Sequence, residues 1–456
     1  MPKKKTALTI EERLQQALVP AEEQPYEVPE NWVWVRLGAI AEIVTGGTPS
    51  KKHPEYYGGN FPFYKPSDLD QGRLTYDASE YLSEEGKKVS RIIPKNSTAV
   101  CCIGSIGKCG YLMCEGTTNQ QINSAIPKIN SLCLYYYLCT ENFVQNLLSM
   151  ASATTIAIVN KSKMESCAFP LPPLLEQQRI VERIEELFSK LDEAKERLQE
   201  VADSFAVRKA AILHKAFTGE LTKQWRCENG VSDESWEEKK LHEVAFVQTG
   251  VMKGKHYNGE TKLLPYLRVA NVQDGYLKLD EIKEIAIDVN LIERYSLRKG
   301  DVLFTEGGDY DKLGRGTVWN NEIPGCLHQN HVFAVRPNTS ILFDCFLAYQ
   351  SNSRYGKKYF LSCSKQTTNL ASINSTQLKN FPVLLPSLPE QHEIVRLIDD
   401  LLARERKAQQ ATEQALASID LMKKSILARA FRGELGTNKA SEASALELLK
   451  QVLAEG

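Results

Sequence analysis

Apolar residues recur at alternating steps of four and three along one stretch of the chain. The positions are Ile180, Ile184, Leu187, Leu191, Ala194, Leu198, Val201, Phe205 and Ile212, with polar Arg208 at one intervening site. This heptad spacing makes a narrow apolar stripe, which is typical of a helix that pairs with another helix. Pro172 and Pro173 precede the stripe and Gly219 follows it, so the sequence predicts a helix over about residues 175–217.

A second stretch carries the same stripe. Its apolar positions are Ile394, Ile398, Leu401, Ala408, Ala415, Ile419, Met422 and Ile426, and Glu405 and Thr412 interrupt it. A lone helix with such a seam is not stable in water. We therefore expect the two helices to pair with each other, and the alternative is that each packs on its own globular neighbour.

The two stretches belong to an internal repeat. Residues 174–221 align with 388–435 without a gap at an offset of 214, and 17 of the 48 positions are identical. A weaker match extends upstream, where 32–46 aligns with 236–250, 64–69 with 266–271, 104–108 with 307–315, and 119–121 with 328–330. The chain is therefore a tandem of two related units.

The segments between the helices show many short β-type runs punctuated by glycine and proline, which indicates mixed α and β structure. Strands are predicted at 98–103 and 301–305, each ending in a glycine turn. Short helices are predicted at 10–18, opened by a capping box of Thr9 and Glu12, and at 445–453, opened by Ser444 and Glu447.

Composition narrows the class of protein. The chain has 456 residues, with 56 Lys plus Arg against 57 Asp plus Glu, so it is not a polybasic protein and its charge gives no hint of nucleic acid. It has no run of about 18 apolar residues and no secretory signal after Met1, so we expect a cytoplasmic protein with no membrane segment.

The 11 cysteines form no CxxC pair, which argues against a disulfide framework and a zinc ribbon. The tightest possible metal group is Cys326, His328 and His331; the alternative is that these residues lie in a strand and its adjoining loop. We expect no bound metal. Residues 104–109 suggest a phosphate loop but have the wrong spacing, and no nucleophile–base arrangement or methyltransferase motif is visible.

Two paired motifs point to a family. The helices are entered through Pro172-Pro173-Leu174-Leu175-Glu176-Gln177 and Pro386-Ser387-Leu388-Pro389-Glu390-Gln391, and both end in Ala-Phe-x-Gly-Glu-Leu. In this pattern, over about residues 26–435, the chain resembles the specificity subunit of type I restriction-modification enzymes. Pro389 in place of Leu175, and the tails 1–25 and 436–456, depart from the commonest pattern.

The resemblance implies an α+β fold with two target-recognition domains separated by two long antiparallel helices. The predicted boundaries are 1–25 for an N-terminal helical extension, 26–173 for recognition domain 1, 174–221 for a central scaffold helix, 222–387 for recognition domain 2, 388–435 for a C-terminal scaffold helix and 436–456 for a helical tail. Each domain would read one half of a bipartite, asymmetric double-stranded DNA target. The helices would set the spacer between the halves.

The resemblance also implies a subunit without catalysis of its own. Two methyltransferase subunits and the restriction subunits would be its partners, and S-adenosylmethionine and ATP would bind to those partners and not to this chain. Two other classes remain open: a duplicated coiled-coil adaptor that joins two protein partners without reading DNA, and an enzyme with an unrecognised site.

Candidate DNA contacts are loop residues that can hydrogen-bond to bases or neutralise phosphates. In the first half they are Lys51, Lys52, His53, Lys65, Ser67, Arg73, Lys108 and Gln120. In the second half they are Lys253, Lys255, His256, Arg268, Asn271, Lys312, Arg315, Gln329 and Asn330. The alternative for each is an ordinary surface residue or, for the amides, a bond to backbone inside the domain.

Candidate partner contacts come from the repeated motifs. They are Glu176, Gln177, Phe217, Gly219 and Glu220 in the first copy, and Glu390, Gln391, Phe431, Gly433 and Glu434 in the second. Helix capping and packing between helices are the alternative reading of the same residues.

Overall fold

The computed structural model describes residues 9–152, 157–254, 256–308, 313–366 and 371–455. The chain divides into two compact units. Residues 1–198 together with 415–456 form the first unit, and residues 199–414 form the second. The boundary of the units falls inside each long helix, whereas the sequence predicted the helices as segments of their own.

The helices follow one another along the described chain as α1 (Ile10–Ala17), α2 (Leu37–Ile40), α3 (Glu84–Lys88), α4 (Ser131–Leu138), α5 (Glu141–Met150), α6 (Lys161–Glu165), α7 (Leu174–Phe217), α8 (Lys223–Asn229), α9 (Leu241–Val244), α10 (Ile292–Tyr295), α11 (Asp344–Asn352), α12 (Arg354–Cys363), α13 (Ser375–Lys379), α14 (Leu388–Ala430) and α15 (Ala445–Glu455). Short 3-10 turns lie at Ala21–Glu23, Pro54–Tyr56, Asp68–Leu74, Val269–Asn271 and Val289–Leu291.

The strands of the first unit are β1 (Val33–Arg36), β2 (Ala41–Thr45), β3 (Tyr57–Tyr64), β4 (Glu80–Leu82), β5 (Thr98–Cys101), β6 (Cys109–Tyr111), β7 (Thr117–Thr118), β8 (Ile122–Pro127) and β9 (Ala168–Leu171). A central antiparallel sheet has the order β2-β8-β5-β6, and a second sheet has the order β4-β3-β7. The pair β1-β9 brings the start of the globular part beside its end.

The strands of the second unit are β10 (Glu237–Lys240), β11 (Ala245–Thr249), β12 (Thr261–Leu267), β13 (Lys283–Asp288), β14 (Val302–Thr305), β15 (Gly307–Gly308), β16 (Gly316–Val318), β17 (Leu327–His328), β18 (Val332–Pro337), β19 (Lys365–Gln366), β20 (Ala371–Ser372) and β21 (Pro382–Leu385). The orders β11-β18-β14-β16, β13-β12-β17 and β10-β21 repeat the plan of the first unit. A small sheet of order β15-β20-β19 is added. The predicted α+β tandem repeat with two long helices is confirmed.

Local signals in the sequence located several of these elements. Helix α1 has the predicted capping box, because the hydroxyl of Thr9 accepts from the backbone N–H of Glu12 while the Glu12 carboxylate accepts from that of Thr9. The N-terminal end of α15 differs, since the hydroxyl of Ser444 accepts from the backbone N–H of Leu446, and the backbone N–H of Glu447 donates to the carbonyl of Ser444. The predicted strands at 98–103 and 301–305 are β5 and β14, one or two residues shorter.

The long helices pair in antiparallel fashion within the first unit. Ile180 and Ile184 of α7 lie in one buried cluster with Leu427 and Ala430 of α14, together with residues of the recognition domain. Farther along, the ammonium of Lys195 lies 3.3 Å from the carboxylate of Asp420. Helix pairing and packing on the globular neighbour therefore occur together, although the sequence presented them as alternatives.

The second unit has the same arrangement at the other ends of the helices. Leu213 and Ala216 of α7 share a buried cluster with Ile394 and Ile398 of α14. The guanidinium of Arg208, at the polar site of the predicted stripe, pairs with Glu405 at 2.9 Å.

The predicted stripe is wrong at three of its members. The side chains of Val201 and Met422 are 40% and 50% exposed, and that of Ala408 is also exposed. A regular heptad pattern of burial requires two helices that stay in close contact along their length. In this chain the most buried positions lie where the helices also contact a globular domain; they are Ile180, Ile184, Ile394 and Ile398.

Candidate nucleic-acid interface

Three loops of the first unit meet at one end of its central sheet. They follow β2, precede β8 and follow β5, and these three strands are neighbours. The backbone N–H of Gly47 donates to the carbonyl of Thr118 at 2.8 Å, and that of Cys102 donates to the carbonyl of Gln121 at 2.7 Å. A side chain at Gly46 would place its Cβ 2.2 Å from the carbonyl oxygen of Asn119, so the first loop can approach only through glycine.

The second unit builds the same junction. The backbone N–H of Val251 donates to the carbonyl of His328 at 2.7 Å, and that of Glu306 donates to the carbonyl of His331 at 2.9 Å. Gly250 takes the part of Gly46, since a Cβ there would lie 2.0 Å from the carbonyl oxygen of His328. One backbone frame therefore carries two different sets of side chains.

The hydrogen bonds correct the sequence alignment of the halves in this region. Asn119 donates from its backbone N–H to the carbonyl of Tyr64, and Gln329 makes the same bond to Leu267. Asn119 therefore corresponds to Gln329, and Gln120 to Asn330, one position away from the alignment by sequence. A one-residue shift in alignment does not change the amino-acid composition of a loop, so the sequence could not reveal this shift.

The same one-residue shift applies after β3 in the sheet β4-β3-β7 and after β12 in the sheet β13-β12-β17. The backbone N–H of Lys65 donates to the carboxylate of Asp68, and that of Arg268 donates to the side-chain oxygen of Asn271. Lys65 and Arg268 are thus equivalent. Asn271 is buried and donates to the carbonyls of Lys278 and Glu281, so it holds the loop together and does not face solvent.

The predicted contacts of the first unit are spread over the junction and beyond it. Lys51, Lys52, His53 and Gln120 are exposed on the loops of the junction. Ser67 is exposed after β3, where Lys65 pairs with Glu80 at 2.8 Å.

Two further predicted cations of the first unit have internal partners. Lys108 pairs with Asp70 at 2.6 Å. Arg73 lies away from the junction, because its guanidinium pairs with Glu185 of α7 at 3.1 Å and stacks 4.9 Å from the centre of the Tyr111 ring. Arg73 therefore joins the recognition domain to the long helix.

The predicted contacts of the second unit likewise include residues that face solvent and residues with internal partners. Lys253 and His256 are exposed, and Gln329 and Asn330 are half-buried on the junction. Arg268 pairs with Glu281 at 3.3 Å, and Arg315 donates to the side-chain oxygen of Gln273 at 2.6 Å. Lys255 and Lys312 lie outside the described residues.

Sequence reasoning missed three side chains at the junction. The hydroxyl of Thr48 donates to the amide oxygen of Gln120 at 2.5 Å. In the second unit the imidazole of His331 contacts the carboxylate of Glu306. The sequence singled out His331 only as a possible metal ligand, and a Thr or Glu in a loop is too common to be a signal. Only the pairing of the strands brings the three side chains to the site.

His328 lies in β17, and Cys326 and His331 lie in the loops beside it. Cys326 and His328 are buried around β17, and Nδ1 of His328 donates to the carbonyl of Val332 at 2.6 Å, while His331 is exposed. The described residues contain no cluster of three or more side chains that could hold a metal ion.

Burial lowers the pKa of His328 to about 4. An unfolded histidine titrates near about 6.5, so this group contributes stability that is complete above that pH and is lost as the pH falls toward 4. We expect the second unit to lose about 2 kcal/mol of unfolding free energy from this group between pH 7.5 and pH 5. Urea unfolding of wild type and His328→Gln at both pH values measures it.

The His328→Gln variant should show a pH dependence that is weaker by that amount, whatever its stability at pH 7.5. His256→Gln, at an exposed histidine of the same unit, serves as the control and should keep the wild-type dependence. An undiminished dependence in His328→Gln would contradict the assignment.

The Glu-Gln dipeptides at the start of the long helices are buried. In the first unit Gln177 accepts from the backbone N–H of Asn130 and donates to the carbonyl of Pro172. In the second unit Gln391 accepts from the backbone N–H of Phe343 and donates to Pro386. These amides fasten the helix to its recognition domain, so packing explains them without a partner.

The carboxylate of Glu176 accepts from neutral donors. The indole N–H of Trp32 lies 2.7 Å away, and the hydroxyl of Thr437 and the amide of Asn438, both after the end of α14, complete the set. Burial raises the pKa of Glu176, and these hydrogen bonds oppose that rise.

Glu390 occupies the equivalent place in the second unit but has a cation. Its carboxylate oxygen lies 2.8 Å from the guanidinium of Arg226 and accepts from the hydroxyl of Thr222 at 2.8 Å. Arg226 also donates to the carbonyl of Gly219, just beyond the end of α7. Each unit therefore ties the start of one long helix to the end of the other around one buried carboxylate.

The remaining predicted partner residues separate by exposure. Phe217 and Phe431 are buried in the cores of their units, and Gly219 and Gly433 adopt positive φ of 76° and 74° as helix-ending residues. Glu220 and Glu434 are exposed. Of the ten predicted residues, these two carboxylates offer a surface that a second chain can reach.

No helix among the described residues is long and apolar enough to cross a membrane.

Comparison with known proteins agrees with the fold and the repeat. The specificity subunit of the type I restriction enzyme StySPI from Salmonella potsdam is 26% identical over 451 residues, covering 94% of this chain and 96% of that protein. The EcoBI specificity subunit from Escherichia coli is 28% identical over 462 residues, covering 94% and 93%. The crystal structure of the HsdS subunit from Thermoanaerobacter tengcongensis has the same fold, with a TM-score of 0.61 and 19% identity over 91% of this chain and 100% of that one.

A family model, that of the type I restriction modification DNA specificity domain, matches twice, at residues 29–203 and 233–415. The two matches correspond to the two halves of the internal repeat and together cover most of the chain. The chain therefore belongs to the family of type I restriction-modification specificity subunits.

Proposed function

We propose that this chain reads a bipartite, asymmetric DNA target, one half-site with each unit. The observation that carries the proposal is the loop junction built twice on one backbone frame with unlike side chains: Gln120 and Thr48 in the first unit, and Asn330 and Met252 in the second. The repeated backbone frame holds the side chains of the two junctions in equivalent positions, while unlike side chains select unlike bases.

The exposed cations beside these loops suit the phosphate backbone. Lys51 and Lys52 follow β2 and Lys253 follows β11, and none of the three has an ion pair among the described residues. Cationic side chains of this kind position a protein on DNA without selecting a sequence.

The long helices then act as the spacer between half-sites and as the docking surface for partners. Specificity subunits are the non-catalytic members of type I enzymes, so two methyltransferase subunits and the restriction subunits supply the chemistry, with their S-adenosylmethionine and ATP. Glu220 and Glu434 are exposed at equivalent helix ends, and they would present the same carboxylate to two copies of one partner. Such an assembly acts on DNA in the cytoplasm.

Methylome sequencing tests the proposal. Co-expressed with its methyltransferase partner in a strain without other adenine methylation, the chain should place N6-methyladenine in one split motif, with two specified halves around unspecified bases. Omitting the chain should abolish the methylation. A continuous motif, or no methylation with a partner that is active with another specificity subunit, would refute the proposal.

A further inference from the structure

The turn that precedes the central strand of each unit has one geometry. The backbone N–H of Ile122 donates to the carbonyl of Asn119 at 3.1 Å, and that of Val332 donates to Gln329 at 2.8 Å. Gln120 and Asn330 are therefore the second residues of equivalent four-residue turns. Both carry a carboxamide, although the loops around them differ in sequence.

The first position of the turn has a structural role in the first unit. Asn119 is buried, and its amide bonds both the backbone N–H and the side-chain oxygen of Gln121. The second position faces outward instead. Gln120 is exposed and Asn330 is half-buried, so these carboxamides stand on the solvent side of the junction.

A neighbouring loop fixes each turn: it contacts the side chain of Gln120 and the backbone of Asn330, whose amide lies 3.4 Å from the imidazole of His331 in the same turn. The Thr48 hydroxyl reaches the amide oxygen of Gln120, and the backbone N–H of Asn330 donates to the carbonyl of Val251 at 2.9 Å. A side chain on a turn fixed at both sides loses less conformational freedom on binding than one on a free loop.

Other candidates are less suited to select a base. Lys65, Lys108 and Arg268 are each held by a carboxylate, and Arg315 is bonded to Gln273. The exposed lysines bear point charges, which suit phosphates. A carboxamide presents one donor and one acceptor side by side, which matches the N6 and N7 edge of adenine in the major groove.

We propose that Gln120 and Asn330 each read one adenine·thymine base pair, in the half-site that belongs to their own unit. The inference rests on the proposed function and adds to it the residues that determine the sequence. It also states which base pair each residue selects.

The test compares the methylated motifs of Gln120→Ala and Asn330→Ala with that of the wild type. Gln120→Ala should make one A·T position of one half-site degenerate, with discrimination there reduced roughly 5- to 150-fold, and leave the other half-site unchanged. Asn330→Ala should relax one A·T position in the other half-site. Gln16→Ala on α1, beside Lys128 at the opposite end of β8, and Asn320→Ala, after β16, are the matched controls at exposed amides away from the junction, and they should leave the motif intact.

A conservative variant separates base reading from a general loss of binding. Gln120→Glu has nearly the same shape but only accepts hydrogen bonds, which suits the N4 amino group of cytosine. It should shift the preference at the relaxed position from adenine toward cytosine.

Three outcomes would overturn the inference: an unchanged motif in both alanine variants, a uniform fall in methylation with no base relaxed, or relaxation of the same half-site by both. If instead the wild type with an active partner yields no split motif, the proposed function itself fails, which is a distinguishable result.

Discussion

Arg226→Met is expected to lower the unfolding free energy of the second unit by about 3–5 kcal/mol. The substitution leaves the carboxylate of Glu390, which is fully buried, without its cation. It also removes the donor to the carbonyl of Gly219 and the bond to Asp233. The loss is large because a buried unpaired charge costs far more than an exposed pair contributes. Urea unfolding followed by tryptophan fluorescence gives the value.

The double variant Arg226→Met with Glu390→Met separates the two causes. Removing both charges should restore most of the stability, since a buried ion pair can be replaced by apolar residues at little cost. Arg404→Met, which breaks an exposed pair with Asp400 in the same unit, should change stability by less than about 0.5 kcal/mol. A single variant as stable as this control would refute the buried-charge argument.

Phe431→Ala is expected to destabilise the first unit by about 3–5 kcal/mol. The ring of Phe431 is fully buried, and its centre lies 5.1 Å from that of Tyr137 and 6.4 Å from that of Phe169. Truncation leaves a cavity where the end of α14 meets the recognition domain, and packed cores close such cavities only in part. Calorimetric melting of the intact chain measures the loss.

Leu421, near the end of α14 and 66% exposed, provides the matched control. Leu421→Ala should shift the melting temperature of the first unit very little, because it creates no cavity. If Phe431→Ala behaved like Leu421→Ala, the end of the helix would not be part of the core of the first unit.

Much of the architecture was predictable because it is duplicated. The repeat at 174–221 and 388–435 begins at the first residue of α7 and of α14, and it ends four residues beyond α7 and five beyond α14. The capping box at Thr9 was equally legible, since it depends on residues three apart. Local chemistry and repetition are properties of a single chain, and the sequence states them directly.

The site was less predictable, because it depends on contacts between distant strands. Arg73 has the composition of a DNA contact, yet it bonds Glu185, 112 residues away. Glu176 and Gln177 look like a motif kept for a partner, yet they are buried by elements that the sequence does not place beside them. The structural equivalence of Gln120 and Asn330 could be recognised only from the hydrogen-bond register of the sheet in each unit.

The sequence positions of the residues that donate to Glu176 bear on the order in which the two units can fold. Thr437 and Asn438 belong to the last 20 residues of the chain, and α15 packs in the same core as α1. The second unit, by contrast, is one uninterrupted run from 199 to 414. On the ribosome, synthesis proceeds from the N-terminus and domains complete when their residues have emerged. Translation of the first unit begins before that of the second unit but finishes after it, so the first unit must wait for its C-terminal segment. The second unit is therefore the first to have all its residues available for folding.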